Sequence, residues 1–522
     1  MSISMVKDIH ILLIHEQAIQ LPGIISVTVF APKAELADAL ATSVFVMAAV
    51  WWSKNMKKVN INDPDMILAE KPCDRNVSTM HSYREAAVGA NGGKTGLFLL
   101  SLSAIAQKTQ DSTKVYKKRV LETTEIDFLT SYYAQDGDNA AVSGGIGTEE
   151  LTDITGTFVI SIPLNEDDVL TIDAGVSAYT SASSSNVNPF DGRQPADPFV
   201  ASSGASQADT WANLTGSYSH SSDDRNDISS IKVSVSTEYD YFSLGFGGGY
   251  TKLFNEKNTE LSINANVFID KWNAIYPSEL RPFGANGIGS FRTSEITGNT
   301  NYNPNFTEFD SEGRNTYSLG LGFSQILHKN LQGSLALDVV QQQGLLSTPF
   351  QRVYFGDVDD SFIENFHLAD DIERLPDSRL KIAVGGRLNW YLNEIVTIRT
   401  FYRYYFDNWG INSHTASIEM PIKITDKFTL YPSYRFYNQT AADYFNPYEG
   451  AVSTDAFYTS DYDLSEYTAN QYGFGVSYTD IFSNAHIWKF GLKSIDLKFY
   501  QYDRDTTFSS SIITAGFKFV MD

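Results

Sequence analysis

From about residue 120 to the C-terminus the chain alternates apolar and polar residues in short segments, and this two-residue period restricts it to β-structure. In QYGFGVSYT, Tyr472, Phe474, Val476 and Tyr478 share one face, and Gln471, Gly473, Gly475, Ser477 and Thr479 share the other. In TYSLGLGFS the apolar face is Tyr317, Leu319, Leu321 and Phe323; in TELSINANVFID it is Leu261, Ile263, Ala265, Val267 and Ile269. Soluble β-sandwiches alternate too, but these segments run to about 10 to 16 residues, with Ser, Thr, Gly, Asn and charge on the polar face. Such strands turn an apolar face to lipid and a polar face to a wet interior. An open sheet edge cannot be satisfied in hydrocarbon, so the sheet must close. The expected fold class is all-β: an antiparallel transmembrane β-barrel of about 16 strands, with a short α/β N-terminal fragment.

Connection lengths support this. The tight turns NEDD (165–168), SDDRND (222–227), NEKN (255–258), HKN (328–330), LNE (392–394) and TDK (425–427) fall at alternate junctions. The long connections, near 183–208, 274–312, 346–377 and 439–467, fall at the others, as short periplasmic turns and long outer loops do. An even strand count returns the C-terminus to the periplasm, with Phe517 and Phe519 facing outward. The terminal Asp522 departs from the aromatic residue that usually ends a barrel-assembly signal.

The stretches SGGIGTEELT, GVSAYTSASSSNVNPFDGRQ and SHSSDDRNDI carry a likeness: residues 107–522 resemble domain of unknown function 3570, an outer-membrane family. The resemblance implies residence in the outer membrane of a Gram-negative bacterium and attaches no chemistry.

Ahead of the barrel the chain changes character twice. LFLLSLSAIAQ, residues 97–107, has the makings of a secretory signal: Lys94, an apolar run from Leu97 to Leu102, and the small pair Ala104 and Ala106 before a mature start at Gln107. A short buried helix or strand is the other reading of this run. LPGIISVTVFAPKAELADALATSVFVM joins a β-like run to a helical stretch opened by Glu35 and Asp38. Residues 8–50 resemble the C-terminal end of FAD:protein FMN transferases. That resemblance implies magnesium ligands at Asp38 and Thr42, whose i, i+4 spacing puts both on one helix face. The family's flavin-binding portion is missing, so the fragment is expected to be inactive. Residues 57–96, with NDPDM and a Gly-rich tail, resemble a small uncharacterised lipoprotein family, although Cys73 lacks the apolar context of a lipidated cysteine. GANGGKTG mimics a phosphate loop but carries Val88 where glycine is required. The expected division is 1–56, 57–96, a signal-like 97–106, and the barrel 107–522. A fusion of neighbouring gene products is favoured over a true multidomain chain.

Charge narrows the partners. Lys plus Arg number 39 against 62 Asp plus Glu, a net −23, which argues against nucleic acid. The longest helix-like apolar run, Ala39–Trp52, is about 14 residues where a spanning helix needs about 20. Cys73 is the only cysteine, which rules out an internal disulfide and a Cys-based metal site. The expected partner is outer-membrane lipid. The resemblances add a small lipoprotein and flavinylated or redox proteins of the same gene cluster. No cofactor is expected in the barrel, and magnesium only at the N-terminal fragment.

Alternation also assigns a charged wall. Arg379, Lys381 and Arg387 on one strand, Arg399 and Arg403 on the next, Glu419 and Lys423 on the following one, and Arg435 beyond it all take the polar face. With the acidic loop DVDDSFIENFHLADDIERLPD they would set a transverse field across an opening; alternatively the arginines fill a packed, plugged barrel. No H-E-x-x-H, G-x-S-x-G or calcium-loop spacing occurs, and DGDNAA loses the last of these at Ala140. His367 and His414 are the only histidines expected on rim loops. The expectation is a non-enzymatic channel, transporter or scaffold. The alternatives are a barrel enzyme or residual flavin transfer.

Overall fold

A computed structural model describes residues 118–521, apart from 181–207, 278, 281–295, 305, 307–310 and 481, together with three short strands near the N-terminus. Those strands, Ser2–Val6, Ile9–His15 and Ile24–Phe30, form a small sheet of their own, the last covering the expected SVTVF run. Asp38, Thr42 and the segments 57–96 and 97–106 lie outside the described residues.

Sixteen strands close into an antiparallel barrel. In chain order they are β1 (Glu125–Asp136), β2 (Leu151–Pro163), β3 (Asp168–Thr180), β4 (Ala208–Ser221), β5 (Asp227–Thr237), β6 (Tyr241–Phe254), β7 (Thr259–Asn273) and β8 (Ser311–His328). The second half is β9 (Leu331–Gly344), β10 (Ser378–Tyr391), β11 (Thr397–Asp407), β12 (Asn412–Glu419, resuming at Ile422–Lys423), β13 (Phe428–Gln439), β14 (Tyr467–Thr479), β15 (Phe490–Arg504) and β16 (Ser509–Met521). Each strand pairs with its neighbours in sequence, and β16 pairs with β1, placing Phe517 opposite Phe128. The interruption in β12 has a local cause. Met420 and Pro421 face Pro432 and Tyr431, and the two prolines remove ladder donors without shifting the register, which holds from Glu419↔Ser433 to Ile422↔Leu430.

The register carries one outward face round the ring. Leu261 pairs with Phe323, Ile263 with Leu321, Val267 with Tyr317, Leu319 with Val339, Phe474 with Phe499 and Ile513 with Tyr132. Leu319, Leu321, Tyr472, Phe474, Leu497 and Trp390 are exposed on it. A water-soluble protein would bury such a surface, whereas hydrocarbon accepts it. The barrel is therefore of the membrane-spanning kind.

Tight turns at 164–167, 222–226, 255–258, 329–330, 392–396 and 424–427 gather at one end. Side chains close them: Asn165 Oδ1 accepts from the N–H groups of Asp167 and Asp168, and Asn393 Oδ1 from those of Ile395 and Val396. The long connections 137–150, 274–310, 345–377 and 440–466 leave from the other end, joined there by short ones at 238–240, 408–411 and 505–508.

Candidate functional site

The buried apolar clusters belong to the outer connections. Ile296, Ile363, Phe366 and Leu368 form one; Val353, Phe355, Ala451 and Tyr458 a second; Tyr276, Leu280 and Ile372 a third. The strands turn most of their apolar side chains to the outer face, and among the described residues the buried apolar clusters form where the loops meet.

Arg352 ties this cap together. Its side chain is 1% exposed and that of Glu279 0%. Nε donates to Glu279 Oε1 at 2.5 Å, Nη2 to Oε2 at 2.9 Å, and Nη1 to the Val142 carbonyl at 3.0 Å. Val142 lies in the β1–β2 connection and Arg352 in the β9–β10 connection, eight places apart in a ring of sixteen and so on opposite sides of the barrel. The bond between them crosses the mouth. Gly144 and Gly145, with φ of 79° and 90°, allow the close approach: a Cβ on Gly144 would lie 2.6 Å from the Tyr354 ring, and one on Gly145 2.9 Å from the Ser460 carbonyl.

Acidic groups inside the cap are held away from water. Glu373 is buried, accepting from the Thr459 hydroxyl at 2.6 Å and the Thr348 N–H at 2.6 Å; burial pushes its pKa up to about 8. Asp371 is buried too, and accepts from Arg374 and the Tyr458 hydroxyl. The acidic loop 357–377 is thus divided. Asp357, Asp359 and Asp360 remain exposed, while Asp371 and Glu373 are consumed inside the cap rather than aimed at the basic wall.

On the barrel wall, Arg379, Lys381 and Arg387 lie opposite the outward Leu380, Val384 and Leu388, and register gives Arg399, Arg403, Glu419, Lys423 and Arg435 that same inner face. They fall into three groups. Near the outer end Arg379 pairs with Asp407 at 2.6 Å and stacks on Trp409, with Lys381 across the ladder from Asp407. Toward the turn end Arg399 pairs with Glu419 at 2.9 Å and Lys423 with Asp426 at 3.0 Å. Between them, Arg387, Arg403 and Arg435 have no carboxylate partner among the described residues; Arg387 lies 5.0 Å from the Phe401 ring centre.

Inner-face carboxylates that sequence reading missed stand on the facing wall, besides Asp338 on β9 and Asp496 on β15. β2 and β3 stand eight places round the ring from β10 and β11, and carry Asp153 and Asp173 on their inner face, in register with Tyr133 and Thr215. Their signal was present in the alternation of LTDITGTFVI and TIDAGVS, but only closure of the ring shows what they oppose.

The two histidines part company. His367 is a loop residue, buried between Tyr354 and Phe362 with Nδ1 2.6 Å from the Tyr448 hydroxyl. His414 is not on a loop: it sits on β12, facing outward in an aromatic belt with Tyr402 and Tyr404. At the outer rim Asp209, Glu238 and Asp240 bring carboxylate oxygens within 4.8 Å of one another, with Asp240 already held by the Trp272 indole.

A closed sixteen-strand antiparallel barrel with an apolar outer face, a charged inner face and folded outer loops defines an integral barrel of the outer-membrane type. The family described as "Protein of unknown function (DUF3570)" matches residues 95–506, and the chain belongs to that family. Among curated proteins none matches. Solved structures similar to the chain include a bacterial polysaccharide outer membrane secretin at 8% identity, covering 77% of this chain and 99% of that one with a TM-score of 0.39. The siderophore receptor PirA of Pseudomonas aeruginosa aligns at 11% identity, over 75% of this chain and 57% of its own, with a TM-score of 0.34. A ferric enterobactin receptor (PfeA) mutant of the same organism aligns at 11%, over 74% and 54%, with 0.37. The chain spans little more than half the length of these two receptors.

Proposed function

We propose that the protein is a capped channel or transporter in the outer membrane of a Gram-negative bacterium, admitting small polar solutes and favouring anions along β10–β13. The supporting observation is the pair of opposed walls: Arg387, Arg403 and Arg435, without carboxylate partners among the described residues, on one side, and Asp153 and Asp173 on the other. Unpaired guanidinium groups in a dry interior would be strongly penalised, so the geometry favours a wet lumen. Charges on facing walls orient a dipolar solute in transit. The cap supplies the means of regulating entry. The proposal includes the extracytoplasmic flavin or redox pathway implied by the resemblances at residues 8–50 and 57–96, and it contains no catalytic step.

A second reading, a closed scaffold for partner proteins, is favoured by the Arg352–Val142 bond across the mouth. Planar-bilayer recording of the purified full chain separates the two. The channel reading expects stepwise conductance in the wild type and more frequent opening after Arg352→Ala. Silence from both proteins overturns it in favour of the scaffold.

A further inference from the structure

The inner wall is ordered in rows that run across neighbouring strands. One row reads Ala336, Gly385, Arg403, Thr415 and Tyr437 from β9 to β13. The next row toward the turns reads Ser334, Arg387, Phe401, Ser417 and Arg435. Arg403 therefore stands above Phe401, with Arg387 beside that ring and Arg435 two strands beyond it. Cα atoms of Arg387 and Arg435 are about 14 Å apart across three strand spacings, a gap that two long side chains reaching inward can share.

One detail marks this place as a site rather than a general basic surface. Arg403 Nε and Thr415 Oγ1 are both buried and, among the described residues, both without a hydrogen-bond partner, although the residues face each other across the ladder. Thr415 is itself 2% exposed. Buried polar atoms are nearly always satisfied, so adjacent orphans call for a missing partner. An acceptor would serve both, since a guanidinium N–H and a hydroxyl can each donate. Gly385, beside Arg403 in that row, lies close under its neighbours: a Cβ there would meet the Tyr402 carbonyl at 3.2 Å, the Phe401 ring at 3.5 Å and Arg403 Cβ at 3.6 Å, so the absence of a side chain lets the ring and the arginine stem settle onto the wall.

We propose that Arg403, Arg387 and Arg435, with the Thr415 hydroxyl, form a binding site for a multiply charged oxyanion, such as the phosphate group of a soluble solute, on the inner wall. Guanidinium forks match oxyanion geometry, and a donor hydroxyl completes the shell. The stacking of Arg387 on Phe401 holds one fork in place without neutralising it. The site deepens the channel reading, on which it rests for a wet lumen.

The test is calorimetric titration of the detergent-purified full chain with inorganic phosphate at constant ionic strength. Saturable binding is expected in the wild type, weakened about tenfold or more in Arg403→Gln/Arg435→Gln, the loss of two charge-assisted bonds. Thr415→Val is the second variant. A hydroxyl with no ligand would be replaced at no cost, whereas a ligand-binding hydroxyl should weaken phosphate by several-fold while heat-modifiable folding is unchanged. Absence of saturable binding, or wild-type affinity in both variants, overturns the site. Conductance without phosphate binding would remove this inference and leave the channel standing; phosphate binding without conductance would do the reverse.

Discussion

The guanidinium of Arg352 grips the carboxylate of Glu279 through two bonds, although the residues belong to different outer connections and lie 73 positions apart. Removing one partner strands a buried charge, at about 3 to 5 kcal/mol. Arg352→Ala should therefore loosen connections 137–150, 274–310 and 345–377 together, read as new protease cleavages in reconstituted vesicles. The barrel, held by its own ladder, should keep its heat-modifiable migration. An uncleaved cap in the variant would show that the three connections are held independently.

Cap closure should weaken as pH rises. Burial holds the Glu373 pKa at about 8, against 4.5 once it is released, so its contribution is whole below 4.5 and is lost as pH climbs toward about 8. Burial raises Asp370 to about 6 and also raises Asp461, adding in the same direction. His367 acts oppositely: burial lowers its pKa, so its contribution is held above 6.5 and fades as pH falls. Amide exchange at residues 371–375 and 457–461, corrected for intrinsic rate, should be faster at about pH 9 than at about pH 6. Glu373→Gln should flatten the alkaline limb, and an unchanged limb would place the titration elsewhere.

Much of this fold could be read from the sequence, because each strand faces two solvents and the two-residue period records both. Leu319 and Ser318 are adjacent yet belong to opposite faces, and that contrast repeats along most of the strands, with exceptions such as the inward Phe401 beside the outward Thr400. The cap was not legible. Arg352, Glu279 and Glu373 stand in segments without periodicity, and their pairing depends on which loops the closed ring brings face to face. The acidic stretch 357–377 consequently read as one exposed charge block, when Asp371 and Glu373 are buried against Tyr458 and Thr459. The basic wall was visible as parity alone; which arginines lack carboxylates followed only from the register.

The two faces can be told apart by substitution. Leu319→Arg and Phe474→Arg should impair assembly in vesicles by about 2 to 4 kcal/mol, as for an arginine near the bilayer midplane, whereas Ser318→Arg and Ser477→Arg should be tolerated. Equal tolerance on both faces, scored by folding yield, would remove the lipid from the account.

Processing is expected after Ala106, because the apolar run and small pair preceding Gln107 have the form of an export signal. Sequencing the N-terminus of membrane-extracted protein should return Gln107. A mature chain that retains residues 57–96 would make the front segments part of the working protein.

The most direct test of the central claim, a wet lumen with a basic wall, is the reversal potential of the reconstituted protein under a salt gradient in planar bilayers. The wild type should favour anions, less so as salt rises and screens the field. Replacing Arg399, Arg403 and Arg435 together with Gln should move the reversal potential toward cations while folding stays intact. A conducting protein whose reversal potential ignores that substitution would contradict the claim.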